Sequence, residues 1–222
     1  MNIYNFTEDK YLDKPMNKQL YDKGLLLVED AIKEITYTKP GSLIHLLHGR
    51  IPSTHSSSVK FGKWGEKWLV YAVESTPNFS MLPHGVLKGI GEDGKSKDID
   101  FLFRDDINMI VYYRELKGNI NLDTEKLPAT HIKINYLKEY LEIEYPNYSL
   151  NSGLLNWSVW DRKPYEEKGN RQFLNKIKTF ENSGVTVTHA SEMFEILGMD
   201  VNEEDYYQYF NKIGKVIVEA IN

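Results

Sequence analysis

The stretch from Lys97 to Leu116 limits what this chain can fold into more than any other. Two runs rich in β-branched and aromatic residues, Lys97-Asp98-Ile99-Asp100-Phe101-Leu102-Phe103 and Met109-Ile110-Val111-Tyr112-Tyr113-Arg114-Glu115-Leu116, flank Arg104-Asp105-Asp106-Ile107-Asn108. The joining segment is made of turn formers, so the runs read as neighbouring antiparallel strands. A strand pair of this kind needs a sheet and a covering layer, and the rest of the chain supplies both.

Upstream, residues 16–34 place Leu20, Leu25, Leu27, Val28 and Ile32 at roughly helical spacing. Gly65 to Glu74 reads as a buried helix, with a strand as the competing reading because Trp, Val and Tyr favour strands too. The polar segment His48 to Gly65 and the Pro- and Gly-punctuated residues 75–97 read as loops, the first of them able to order on a partner. Downstream, Ile134, Leu137 and Leu141 form one helical stripe within residues 129–142. Leu154 to Trp160 and Gly184 to Thr188 read as strands. Residues 169–180, 189–197 and 203–221 read as helices, the last carrying Tyr206, Tyr207, Tyr209 and Phe210 as a core or subunit contact. Trp157 and Trp160 are expected to pack the core. This order is that of an α/β fold with a mixed sheet, expected as a single domain over residues 1–222.

Composition narrows the function classes. With no cysteine, thiolate metal sites, iron–sulfur clusters and cysteine nucleophiles are excluded. No segment is apolar for the length of a bilayer, and the first fifteen residues lack the apolar run of a signal peptide, so a cytoplasmic protein with no membrane partner is the expectation. The net charge of −5 argues against a polyanionic partner until its distribution is read. From Glu192 onward seven acids face only Lys212 and Lys215, which leaves residues 1–191 neutral overall and able to carry a basic cleft.

The chemistry is carried by the strand pair. Side chains alternate along a strand, so Glu115 and Lys117 share one face. Asp98 and Asp100 share a face of the other strand, and parity does not choose between them; Asp100 lies deeper and is taken as the first acid. With the turn centred between Ile107 and Asn108, residue 100 falls opposite or one diagonal step from Glu115. Carboxylates at close range repel, and a bound divalent ion is a reason to gather them. Asp100, Glu115 and the carbonyl of Leu116 are hard oxygen ligands of the kind Mg²⁺ prefers. A metal there would acidify a water and offset charge on a phosphorus, with Lys117 orienting the water or steadying the transition state. Phosphodiester hydrolysis follows from that set. The bland alternative is two exposed strand residues and a turn-capping Asp100, and an isolated E-x-K pattern favours it. Asn119 and Asn121 continue the side of Lys117 and could meet phosphates or adenine edges. Arg50, Lys60 and Lys63, with Lys88, Lys95 and Lys97, lie in or beside loops ahead of the hairpin, where they could flank DNA.

These residues carry a resemblance. The chain resembles the PD-(D/E)xK nuclease superfamily and, more closely, type II restriction endonucleases, through Asp100, Glu115-Leu116-Lys117 and the sequel ELKGNINLDTEKLPATHIKI. The likeness spans about residues 61–190 in element order and is specific from about Lys97 to Ile134. It implies a restriction-endonuclease-like core with a mixed central sheet flanked by helices, and Mg²⁺-dependent cleavage of double-stranded DNA by a homodimer whose symmetry matches a palindrome. The first helix or the Tyr-rich last helix could supply the dimer contact. Asp100 and Glu115 would be the metal-binding acids and Lys117 the catalytic lysine, with Ile99 standing where the family often has proline. Glu66 would be the auxiliary acid of the first core helix, with Glu74 as the alternative, and Lys126 would face phosphate. A repair or recombination nuclease of the same fold, a non-catalytic DNA-binding module and a metal-free hydrolase stay open beside that reading.

Overall fold

The computed structural model describes residues 15–35, 54–91, 94–118, 120, 126–167 and 170–221. Its packing forms two compact units, Met1–Ala72 with Val201–Asn222, and Val73–Asp200. No described helix is long and apolar enough to cross a membrane.

The first unit is helical. It holds α1 (Pro15–Ile35), most of α2 (Thr54–Glu74) and the last helix of the chain (Glu203–Ile221). Trp64, Trp68 and Tyr206 are buried among one another with Tyr209 and Phe210, the rings of Trp68 and Tyr209 stacking at 5.2 Å. Two polar handles tie this aromatic core to α1. Trp64 Nε1 donates to the Gly24 carbonyl at 3.1 Å, and Tyr209 Oη donates to the Leu20 carbonyl at 2.9 Å. The aromatic cluster of the last helix is therefore used inside its own unit, and the tips of Trp64 and Tyr209 are satisfied by these two carbonyls. Helix α2 also corrects the reading of residues 48–65 as a loop, because from Thr54 onward they are helical. Between Thr54 and Phe61 the chain has neither Gly nor Pro. Its serines are only mildly poor helix formers, so a loop-like composition does not prevent the helix from starting early.

The second unit is built on a five-stranded mixed sheet in the order β1-β4-β5-β6-β7. The strands are β1 (Phe79–Met81), β4 (Phe101–Asp105), β5 (Ile110–Lys117), β6 (Ser149–Asn156) and β7 (Thr186–His189). β1, β4 and β5 pair antiparallel, whereas β6 and β7 run parallel to β5. A separate ribbon pairs β2 (Gly85–Leu87) with β3 (Lys97–Ile99). Parallel strands need crossovers, and these are helical. α3 (Lys126–Glu144) joins β5 to β6; α4 (Lys163–Glu166) and α5 (Arg171–Asn182) lie between β6 and β7. α6 (Ala190–Ile196) follows β7, and the last helix is α7.

Alternation along the strands sorts the core. Leu102, Val111, Tyr113, Leu154 and Val187 face Ile134, Leu137 and Leu141 of α3 and Ile177 and Phe180 of α5. The β4–β5 register, Phe101 opposite Arg114 through Asp105 opposite Ile110, centres the turn between residues 107 and 108, as the sequence pattern requires. Asp105 fixes that turn. The amides of Ile107 and Asn108 donate to its Oδ1 at 2.9 and 3.0 Å, and Asn108 Nδ2 donates to its Oδ2 at 2.7 Å.

Two strand readings shift. Residues 157–160 are turn rather than strand, and β6 begins earlier, at Ser149. The segment Ser149 to Gly153 is polar and gains its strand form from pairing with Ile110 to Arg114, which local propensity does not reveal. The loop reading of residues 75–97 also needs amending, since two three-residue strands lie within it. Gly153 matters for packing: a Cβ there would lie 2.4 Å from the Thr186 carbonyl oxygen of the neighbouring strand. Gly153→Ala must part β6 from β7, and a loss of about 1–3 kcal/mol in urea unfolding is expected. A loss below about 0.5 kcal/mol would show that the strands separate freely.

Candidate active site

The site forms where the chain leaves one ladder for another. β3 ends at Ile99 and β4 begins at Phe101, so Asp100 sits at the bend between the ribbon and the main sheet. Extending the β4–β5 register by one residue brings position 100 opposite Glu115. The bend turns Asp100 toward β5, and its Oδ2 accepts the Leu116 amide at 3.0 Å, in place of the ladder partner that β4 no longer supplies. Amide and carbonyl of one strand residue project to the same edge, so the Leu116 carbonyl also lies on the Asp100 side. Asp98, the other eligible acid, is exposed in the ribbon opposite Val86.

Glu115 is only 4% exposed and is held by three groups. Lys117 Nζ reaches its Oε1 at 2.8 Å, as their shared face requires, and Tyr113 Oη donates to its Oε2 at 3.4 Å. The third group was not among the sequence candidates. Lys133, on α3, places Nζ 2.6 Å from Glu115 Oε2 and 3.1 Å from Asp100 Oδ1, so one ammonium spans both acids. The available signal was position. Thr130, Ile134, Leu137 and Leu141 form the buried stripe of α3, and Lys133 stands beside Ile134, one turn from Leu137.

Electrostatics follow from this packing. Burial, and then the Glu115 charge, push Asp100 up to about 6, with Lys133 and Lys117 offsetting only part of the effect. Burial acts the same way on Glu115, but Lys117 and Lys133 outweigh it and hold that carboxyl below its usual value. One acid rises while its neighbour falls, the usual outcome for two carboxylates sharing a site. Burial lowers the affinity of Lys133 for its proton, yet Asp100 and Glu115 more than reverse this and keep it charged.

Between about 3.8 and 6 the folded protein keeps a proton on Asp100 that the unfolded chain has lost, so the Asp100 contribution weakens stability as pH rises through that window. In EDTA at pH 7, Asp100→Asn should therefore melt above the parent, and the gap should close near pH 4. A variant that melts below the parent at pH 7 would contradict this sign.

The donor set fits a hard divalent ion. Two carboxylates converge on one ammonium, a monovalent stand-in, and the Leu116 carbonyl projects from the strand edge whose amide meets Asp100. Among the described residues no group of three or more His, Cys, Asp or Glu side chains gathers. Mg²⁺ commonly binds in this way, through one or two carboxylates.

The strand register extends a polar row from Lys117 to Asn156 and His189 across the carboxyl ends of β5, β6 and β7. Asn156 is fully buried and donates to Tyr165 Oη at 2.7 Å. Beneath the opposite face Arg114, 2% exposed, locks β5 to its neighbours. It donates to the Asn151 carbonyl at 2.7 Å, to Asn151 Oδ1 at 2.9 Å and to Thr188 Oγ1 at 3.2 Å.

Of the other sequence candidates, Lys126 is exposed at the start of α3. Glu66 and Lys63 are exposed on α2, in the helical unit. Lys97 lies 4.9 Å over the Tyr136 ring, a cation–π contact that fixes its stem. Arg50, Asn119 and Asn121 lie outside the described residues, as does the side chain of Lys60. Trp157 is buried and Trp160 stacks on Phe194 at 6.1 Å, so both serve packing.

No family model matches the chain, and no curated protein or solved structure matches it.

Proposed function

We propose that this chain is a Mg²⁺-dependent endonuclease acting on double-stranded DNA, of the type II restriction class. The observation that carries the reading is the convergence of Asp100 and Glu115 at the fork of β4 and β5 with Lys117 on Glu115. Lys117 and Lys133 compensate the pair as it stands, and two carboxylates gathered around one shared cation are the hard oxygen donors that a divalent ion takes.

Asp100, Glu115 and the Leu116 carbonyl would hold the ion, which when bound would acidify a water and offset negative charge on the phosphorus. Lys117 is positioned by its ion pair with Glu115 to donate to a phosphate oxygen or to the attacking water. The step joins a water oxygen to phosphorus and breaks the bond from phosphorus to a bridging oxygen. Burial of Tyr113 beside Glu115 limits bulk water at the acids and strengthens these interactions. Glu66 is assigned as an auxiliary acid, and Arg50, Lys60, Lys63, Asn119, Asn121 and Lys126 as DNA contacts, all on the family resemblance. A symmetric homodimer would let two such sites meet the two strands of a palindrome.

The test is digestion of a linear duplex of known sequence with Mg²⁺, followed by mapping of the ends. Discrete fragments whose ends share one sequence support restriction. Nicks at junctions or mismatches point to a repair or recombination nuclease, and binding without cleavage to a DNA-binding module. Activity that survives EDTA would point to a metal-free hydrolase.

A further inference from the structure

We infer that Lys133 is a resident counter-cation of the carboxylate pair, which a divalent ion must displace, so that an intramolecular lysine sets the affinity of the site for metal. The inference rests on the metal-dependent reading given above and extends it to a residue which that reading does not use.

Each of the four carboxylate oxygens has a donor: Lys117 on Glu115 Oε1, Lys133 on Glu115 Oε2 and Asp100 Oδ1, and the Leu116 amide on Asp100 Oδ2. An ion that bridges the acids needs an oxygen from each. The two oxygens turned toward a common point are Asp100 Oδ1 and Glu115 Oε2, and that point is filled by Lys133 Nζ at 3.1 and 2.6 Å. Mg²⁺ holds its oxygens at about 2.0–2.1 Å, so ion and ammonium cannot share the position.

Charge leads to the same conclusion. Asp100, Glu115, Lys117 and Lys133 sum to zero when all are ionised, so a divalent ion added with both lysines in place would leave two uncompensated positive charges in a half-buried site. Lys133 is the lysine free to leave. It stands on a different element from both acids, and its side chain is 23% exposed, which gives its long stem a route to water. Lys117 instead shares β5 with Glu115 and pairs with its Oε1, an oxygen that Lys133 does not hold. A phosphate brought by DNA restores negative charge, so metal and DNA should bind together more tightly than either binds alone.

The experiment is calorimetric titration of Mn²⁺ into the full chain without DNA, for the parent, Lys133→Met, Lys133→Arg and Asp100→Asn, paired with thermal melts in EDTA. Lys133→Met should bind Mn²⁺ at least about tenfold more tightly than the parent, the scale of one like charge removed from a partly screened site. Lys133→Arg, which keeps the charge, should stay near the parent, and Asp100→Asn should lose the site. In EDTA, Lys133→Met should melt below the parent, Lys133→Arg close to it, and Mn²⁺ should raise the melting point of Lys133→Met by more than that of the parent. If Lys133→Met does not fold, Lys133→Gln is read by the same criteria. Binding by Lys133→Met equal to or weaker than the parent, with Asp100→Asn still abolishing it, overturns the inference and leaves the metal site standing. Absence of any binding that depends on Asp100 overturns both.

Discussion

Glu115→Gln is expected to lower Mg²⁺-dependent cleavage of duplex DNA by at least about a hundred- to a thousandfold, the range seen when one preorganised charge-stabilising group is lost. Glutamine keeps the shape of the side chain, and its carbonyl can still accept from Lys117 or Lys133. It lacks the negative charge that the two lysines favour on Glu115 by holding its carboxyl below the usual range. Lys117→Ala should cause a comparable loss through a different cause, removing the donor that Glu115 positions at 2.8 Å. The two variants separate in DNA binding. With Ca²⁺ in place of Mg²⁺, Lys117→Ala should still retain duplex DNA in a gel-shift assay because its metal ligands are intact, whereas Glu115→Gln should bind more weakly. Cleavage within tenfold of the parent for Glu115→Gln would remove this residue from the site.

The second large effect concerns stability. Arg114→Ala should cost about 3–5 kcal/mol in urea unfolding, combining a cavity with abandoned hydrogen-bond partners. Its guanidinium lies under the sheet, 2% exposed, with donors committed to Asn151, Thr188 and the Tyr113 carbonyl. Those bonds tie β5 to β6 and β7 directly behind Glu115, so the variant should lose rigidity at the site as well as stability. Arg114→Lys should recover only part of the loss, because an ammonium cannot reproduce the forked geometry that serves the carbonyl and the side-chain oxygen of Asn151 together. A loss below about 1 kcal/mol for Arg114→Ala would mean that water replaces these bonds without penalty.

The sequence made the hairpin legible because its information is local. Period-two alternation, a turn of Asp and Asn, and the parity of residues 115 and 117 are all readable within about twenty residues, and the register follows from them. The choice between Asp98 and Asp100 was not local. It depends on a change of sheet at residue 100, which sends Asp98 into the β2–β3 ribbon and Asp100 toward β5. Lys133 escaped for a similar reason. Nothing in ATHIKINYLKEYLE says which side of the apolar stripe meets the carboxylates until α3 is laid on the sheet. The early start of α2 and of β6 was hidden by composition, serines in one and a polar Asn, Ser and Gly run in the other, where packing and pairing outweigh propensity.

The most direct test of the carboxylate pair as a metal site is anomalous diffraction from crystals of the full chain soaked in Mn²⁺. One peak is expected within coordination distance of Asp100, Glu115 and the Leu116 carbonyl, with Lys133 turned away from both acids. An ordered site with no peak there, and Lys133 still bridging the two carboxylates at high Mn²⁺, would contradict it.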